Sequence, residues 1–218
     1  PIWLQYLDYI VNLARGDLGV SLIFVGTPVI TIITHALPWT VFLISLSLIT
    51  SFVLGVTLGM LMAYRRATIL DRIASLYASI SHAVPNYVIA LMLLLVFAAE
   101  LKLFPVKGAY DITIEPGFTL EFISNVLYHT ALPFLAYVIS SVGGWMLTMK
   151  SSAISVLGED YVMAAEARGL HKRRIMLSYV ARNAILPLFT SLAISIGYIF
   201  GGAVFIETIF NYPGMGYY

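Results

Sequence analysis

Long runs of apolar residues without a charged side chain are the dominant pattern of this chain. Four runs contain no Asp, Glu, Lys or Arg, and they cover residues 39–64, 73–99, 122–149 and 183–206. Each is longer than the roughly 20 residues that an α-helix needs to cross a hydrocarbon core. The runs are apolar on every face instead of alternating with period two, which argues against barrel strands. We therefore predict an all-α, polytopic membrane protein with four transmembrane helices, over residues 36–64, 73–99, 122–149 and 183–206.

The charged residues lie between the predicted spans and are divided unevenly. Nine of the twelve Lys and Arg residues fall in residues 65–72 and 150–182. Connections rich in Lys and Arg remain in the cytoplasm. Both links are therefore predicted to be cytosolic, and residues 1–35, 100–121 and 207–218 external. The protein is expected in the cell membrane.

The external flanks carry their own patterns. Apolar residues recur at helical spacing from Trp3 to Ala14, and Gly16 is placed to end that helix. The segment is too short and too polar to cross a bilayer, so we expect a helix that lies at the outer interface. Residues 100–121 contain two prolines and two glycines and are predicted to be an external loop of turns.

Composition narrows the classes of function. The 218 residues are 60% hydrophobic and 11% charged, with a net charge of +1 and no cysteine. These values exclude an ordinary soluble domain, a disordered chain and any thiolate chemistry. The chain has neither of the common glycine-rich phosphate-binding motifs, and its four histidines are far apart in sequence. We expect no cofactor, metal site, catalytic residue or nucleic-acid partner for this chain.

The link over residues 150–182 is the most distinctive segment. Burying Arg168 and the basic run 172–174 in lipid would cost on the order of 10 kcal/mol, so the link must stay in water or against another protein. Glu159 and Asp160 favour a helix start, and Gly169 favours its end. One interpretation is a short cytosolic helix that docks in the groove of another protein. The other is a solvated connector.

One polar cluster lies inside a predicted span. It consists of His82, Pro85, Asn86 and Tyr87. Proline removes a backbone hydrogen bond and kinks a helix, and polar groups in a membrane usually face the bundle interior. The cluster either borders a translocation pathway or marks a kink that neighbouring helices satisfy. The pair Gly55 and Gly59 predicts close helix packing without a further function.

Several stretches together resemble the permease subunits of binding-protein-dependent ABC importers, in particular the oligopeptide and dipeptide branch. The main match is Tyr161–Leu170 followed by Arg182–Pro187. Met163 stands where the general loop pattern of the family has a glutamate, and Pro187 lies further from Gly169 than usual. The other matching stretches follow in order along the chain: Gly16–Gly19, Arg65–Arg72, Pro85–Tyr87, Leu103–Val106, Gly201–Phe210 and Pro213–Gly216.

The resemblance implies a partner set and a role for the cytosolic link. It implies a second homologous permease subunit, two cytosolic ATPase subunits that use ATP and Mg, an external solute-binding protein, and a lipid bilayer around them. The residues that would couple to the ATPases are Tyr161, Ala164, Ala165, Glu166, Gly169 and Leu170. Members of this family usually have six spans, so we expect one further span on each side of the four predicted here.

Alternatives remain open at this point. The branch implies peptides as the substrate, while relatives of the same type transport oligosaccharides or nickel. Outside the family, an intramembrane enzyme would need a catalytic constellation, and an ion-coupled secondary transporter would need buried acidic residues. None of the four predicted spans contains Asp or Glu, which argues against the second of these.

Overall fold

The computed structural model describes residues 1–201 and 203–218, without the side chains of residues 200 and 201. The described residues form helices and connecting turns, with one isolated β-bridge between Val20 and Pro28. The predicted all-α class is therefore confirmed. The Gly201–Ala203 stretch used in the resemblance includes Gly202, which lies outside the described residues.

Two long helices form the centre of the fold. The first of them, α2, spans Val29–Tyr64, and the second, α5, spans Leu120–Leu157. A shorter helix, α1, precedes them and spans Ile2–Ala14. Both α2 and α5 are long and apolar enough to cross a membrane alone. They pack closely at two glycine residues of α2. If Gly59 carried a Cβ atom, that atom would lie only 2.5 Å from the Met146 carbonyl oxygen of α5, which leaves no room for a side chain. A Cβ atom at Gly55 would likewise collide with the Trp145 side chain of α5. The close packing predicted from this glycine pair is confirmed.

The span predicted over residues 73–99, with a kink at Pro85, consists of two helical parts separated by a sharp break. Helix α3 covers Ile69–Ala83, and α4 covers Asn86–Leu93 and continues as a π-helical segment over Leu94–Glu100. The two parts meet at an angle of 98°. Pro85 causes the break because it lacks an N–H group and disfavours a helical residue before it. Val84 is accordingly extended, with ψ of 125°.

The span predicted over residues 183–206 is also broken. A helical run begins at Lys172, as α7 (Lys172–Arg174), a π-helical segment (Ile175–Val180) and α8 (Ala181–Ala184). It bends by 43° before α9 (Leu186–Gly197), which has Pro187 in its first turn. A 3₁₀ segment over Tyr198–Gly201 and α10 (Val204–Ile209) are the last helical elements. The described residues thus contain two continuous candidate spans, or up to four if each bent pair is one span.

Helix α5 extends beyond the predicted boundary at residue 149. It continues to Leu157, so the segment predicted as the cytosolic link begins within a helix. Lys150, whose charge set that boundary, pairs with Asp71 at 2.6 Å and donates a hydrogen bond to the Ser75 hydroxyl at 2.9 Å. The charge of Lys150 marks the end of the uncharged run and not the end of the helix, since lysine is a good helix former. Helix α2 likewise begins at Val29, before the predicted residue 36.

The flanks follow the predicted pattern in outline. Helix α1 is fully exposed in the isolated chain, and Gly16 follows it with φ of +83°. Residues 101–119 form turns and bends between the π-helical end of α4 and the start of α5. Their external location and the interfacial position of α1 stay predictions.

The C-terminal segment folds back against the two long helices. Glu207 is fully buried, and its carboxylate accepts hydrogen bonds from the Thr40 hydroxyl at 2.8 Å and from the Gly216 N–H at 2.5 Å. The Met215 N–H donates to the same Thr40 hydroxyl at 2.7 Å. Tyr212 is also buried, with its hydroxyl 3.2 Å from that of Thr130. These bonds tie α10 and the following turn to α2 and α5.

Single cysteines will test the orientation. The described chain has no cysteine, and Arg66 and Ile112 are both exposed, Ile112 at 95%. We expect Ile112→Cys to react with a membrane-impermeant maleimide in right-side-out vesicles, and Arg66→Cys to react only in inside-out vesicles. The reason is the excess of basic residues on the predicted cytosolic side. Any cysteine in the rest of the protein is replaced first. Reaction of both variants from one side would contradict the assignment.

Candidate functional site

The break at Pro85 opens a cavity of about 590 Å³. His82, at the end of α3, and Asn86, at the start of α4, both line this cavity, as does Pro85 itself. A continuous helix would carry these side chains along one axis. The right-angle turn instead places the end of one helix and the start of the next at the same wall.

The other walls come from α5, α9 and one residue of α2. They are mostly polar or aromatic, and the long helices contribute most of them. The lining residues of α5 and α9 are Tyr137, Ser140, Ser141, Gly144, Trp145, Leu147, Thr148, Ser191 and Ser195. Leu48 completes the wall from α2. No Asp, Glu, Lys or Arg is among the described lining residues, and the lining combines polar and apolar groups.

Four cavity hydroxyl groups are bound to their own helices. Ser140 donates to the Tyr137 carbonyl at 2.9 Å, and Thr148 donates to the Gly144 carbonyl at 2.9 Å. The hydroxyls of Ser191 and Ser195 each donate to the backbone carbonyl oxygen four residues earlier, at 3.1 and 2.8 Å. Each oxygen keeps acceptor capacity after donating its proton. The walls therefore offer hydroxyl oxygens that can accept a weak hydrogen bond from a passing molecule. Their own protons stay bonded within the helices, so no ligand is needed to satisfy them.

A glycine pair in α5 brings α3 into position. At Gly143 a Cβ atom would collide with the Ser81 hydroxyl and the Ala78 carbonyl oxygen of α3. At Gly144 it would lie 3.2 Å from Nδ1 of His82. The absence of side chains on α5 thus lets α3 lie against its backbone and holds His82 at the cavity wall.

Tyr87 is separate from the other members of the predicted polar cluster. It does not line the cavity, and its ring packs against Phe205 with centroids 5.7 Å apart. The residue directly after Asn86 points to a different neighbour because helical residues diverge by about 100° per position. The structure thus brings together His82, Pro85 and Asn86 and leaves Tyr87 outside.

The predicted docking segment is a short helix with a left-handed end. Helix α6 spans Asp160–Ala167, and Gly169 adopts φ of +73° two residues later. The Gly169 N–H donates to the Glu166 carbonyl at 2.8 Å. A Cβ atom at Gly169 would meet nothing within 4 Å, so the backbone conformation alone requires glycine here.

Ala165, one of the residues expected to couple to the ATPases, does not face outward. It is buried at 3% exposure, together with Val162, in a cluster with Ile175, Met176 and Val180. Leu170 packs against the same cluster from its edge. These residues attach α6 to its own chain. Their contribution to coupling would therefore be indirect.

The outer surface of α6 consists of different residues. Tyr161, Met163, Ala164 and Glu166 are exposed in the isolated chain. The Tyr161 hydroxyl also accepts a hydrogen bond from the Asn183 side chain at 2.9 Å, which links α6 to α8. A surface that is free in the isolated chain and braced from behind is suited to contact another protein.

Sequence reasoning missed the cavity hydroxyls and the Gly143–Gly144 pair. Ser191 and Ser195 are four residues apart and lie on one face of a helix, which was the available signal. Ser140 and Ser141 had no such spacing to distinguish them. Among the described residues, no group of three or more His, Cys, Asp or Glu could hold a metal ion.

The fold and the cavity together define a class. Candidate spans broken at proline, long apolar helices and an uncharged polar cavity between them are features of membrane transport proteins. The sequence profile of the family described as "binding-protein-dependent transport system inner membrane component" matches residues 55–218. The chain belongs to this family of multi-pass membrane permeases, and the resemblance found in the sequence is confirmed.

Individual relatives agree with the branch. The chain is 31% identical over 216 residues to the oligopeptide transport system permease protein AppB of Bacillus subtilis, covering 99% of this chain and 67% of the relative. It is 32% identical over 218 residues to the dipeptide transport system permease protein DppB of Lactococcus lactis, covering 99% and 66%. The corresponding Escherichia coli DppB is 31% identical over 233 residues, with 99% and 68% covered. The chain thus spans about two thirds of the length of these relatives.

Proposed function

We propose that this chain forms part of the translocation pathway of an ATP-driven peptide importer. The observation that carries the proposal is the uncharged, hydroxyl-lined cavity at the Pro85 break, in a chain that belongs to a permease family. The relatives named above are permeases of oligopeptide and dipeptide transport systems, which favours peptides over oligosaccharides or nickel. In this role the chain is a non-catalytic subunit.

The cavity chemistry suits peptides of varied sequence. Every peptide presents backbone N–H and C=O groups, and the cavity offers hydroxyl oxygens, the Asn86 amide and the His82 ring to them. Weak partners without a charged residue let a solute enter and leave, whereas a strong fixed ligand would retain it. Selection among peptides would then rest with an external solute-binding protein.

The proposal includes the partners that the resemblance implies. A second homologous permease subunit would form the other wall of the pathway. Two cytosolic ATPases would bind and hydrolyse ATP with Mg, because the chain contains no phosphate-binding loop. The surrounding bilayer would hold the broken spans and α1.

The α6 segment is proposed to receive the movement of the ATPases. Its exposed residues Tyr161, Met163, Ala164 and Glu166 would contact them. Val162 and Ala165 then carry the force inward, since they pack in the same cluster as Met60 of α2 and Met149 of α5. A displacement of α6 would therefore be felt by both long helices, and through α5 by the cavity wall.

Two neighbouring substitutions will test the pathway. Asn86→Trp places an indole ring in the cavity, whereas Tyr87→Trp changes an aromatic residue that packs on Phe205 outside it. We expect Asn86→Trp to lower peptide uptake by about tenfold or more, because the indole ring would occupy space that the peptide crosses and a barrier raised by about 1.4 kcal/mol slows passage tenfold. Tyr87→Trp should leave uptake near that of the unaltered protein. Uptake of labelled di- to octapeptides by the reconstituted importer is the measurement.

Two outcomes would count against the pathway assignment. Unchanged uptake in the Asn86→Trp protein would show that this cavity is not on the route. Equal loss in both variants would show general damage to the α4 region. Uptake of oligosaccharides instead of peptides by the unaltered importer would overturn the substrate class while leaving the pathway in place.

A matched pair of glycine substitutions will test coupling through α6. Gly169→Ala forces an L-residue into φ of +73°, whereas Gly158→Ala changes a glycine with φ of −85° at the end of α5. The first substitution costs at least about 1 kcal/mol of backbone strain, enough to reduce the population of the correct conformation about fivefold. We expect lower peptide-stimulated ATP hydrolysis in Gly169→Ala only. Equal stimulation in both variants would make α6 a simple connector.

A further inference from the structure

A second cavity lies near the C-terminal end of α2, whereas the polar cavity touches α2 only at Leu48, in its middle. The second cavity is a groove of about 490 Å³ between the C-terminal turns of α2, the C-terminal part of α5 and the π-helical segment Ile175–Val180. Met60, Met149 and Met176 are buried residues that line it. Its remaining apolar walls include Val56, Leu61, Leu177 and Ile185. Methionine side chains are flexible and polarizable, so such a groove can adapt to an irregular apolar ligand.

The mouth of the groove is basic. Arg173 is exposed and is the one charged residue among the described lining residues. The adjacent Lys172 places its ammonium group 5.3 Å from the centre of the Tyr64 ring, and Tyr64 also lines the groove. The π-helical segment starts directly after these residues, and such segments often occur at functional sites.

The Arg173 guanidinium has no carboxylate partner among the residues that the structure describes, where the single ion pair joins Lys150 to Asp71. A guanidinium group offers a planar set of donors that matches a phosphate in a two-pronged contact. Leu177, on the groove wall, is 57% exposed and continues the apolar surface outward. The site therefore combines a long apolar groove with a free cation at one end.

We propose that this groove binds one anionic phospholipid of the cytosolic leaflet. An acyl chain would lie over Met60, Met149 and Met176, and the headgroup phosphate would bind Arg173. A free anion would gain nothing from the apolar walls, and the cationic headgroup of a zwitterionic lipid would be repelled by the basic segment, in which Lys172 and Arg174 flank Arg173. The assignment to the cytosolic leaflet rests on the orientation proposed above.

Photoactivatable lipids in the full importer will test this site. The complex is reconstituted into vesicles that contain phosphatidylglycerol or phosphatidylcholine with a diazirine in the acyl chain. Adducts are then mapped by mass spectrometry to peptides covering residues 56–64 and 173–185. We expect the phosphatidylglycerol probe to label these peptides more than the phosphatidylcholine probe.

Two variants define the chemistry, and one is a control. Arg173→Gln should lower phosphatidylglycerol labelling about fivefold, the equivalent of about 1 kcal/mol for one basic group at an anionic membrane surface. Arg168→Gln removes a charge from the same link outside the groove and should leave labelling unchanged. Ala181→Trp should fill the groove and remove labelling by both lipids.

Several results would overturn the proposal. Equal labelling by the two lipids, or unchanged labelling after Arg173→Gln, would exclude a site for an anionic headgroup. A crosslink from Leu177→Cys to another polypeptide in the complex would show that protein covers the groove. Peptide uptake by the same vesicles is measured in parallel, so failure of the lipid site is separate from failure of the proposed transport function.

Discussion

The contact of α3 with the backbone of α5 at Gly143 and Gly144 is the constraint on which the candidate site depends. Because these positions carry no side chain, Ala78 and Ser81 lie directly against α5, and His82 rests beside Gly144. Pro85 then turns the chain through 98°. With α3 fixed on one side of the break and α4 directed away, a polar space remains between them that α5 and α9 enclose.

The two ends of the long helices are held by different chemistry. At one end, the Glu207 carboxylate and the Thr40 hydroxyl bind the turn that contains Met215 and Gly216, so the polar groups are satisfied within the chain. At the other end, α6 is attached through apolar residues such as Val162 and Ala165. Directional hydrogen bonds favour one geometry, whereas apolar packing tolerates small shifts. This difference fits the proposed coupling, in which the end that carries α6 moves relative to the end that Glu207 ties down.

The sequence predicted the elements that depend on local chemistry. Proline marked the break at residue 85, the glycine pair in α2 marked close packing, and Gly169 marked the end of α6. Prediction from the sequence failed where a contact with a residue far away in the chain determines the structural role of a residue. The charge of Lys150 ended the uncharged run in the sequence, yet α5 continues to Leu157 and Lys150 pairs with Asp71 of α3. Ala165 is buried because the π-helical segment packs against that side of α6. The serine residues line one cavity because the breaks in the helices bring α5 and α9 together around it.

The central claim is that the space at the Pro85 break is a water-filled part of the peptide route. Ser195 lines that space, whereas its neighbour Ile194 does not line it and is 58% exposed on the apolar surface of the same helix. The most direct test is the reaction of Ser195→Cys and Ile194→Cys with a small charged thiol reagent in the assembled importer, with and without peptide-loaded binding protein and ATP. The account predicts that Ser195→Cys reacts, that transported peptide slows this reaction, and that Ile194→Cys stays unreactive in the lipid. A Ser195→Cys protein that is as unreactive as Ile194→Cys would contradict it.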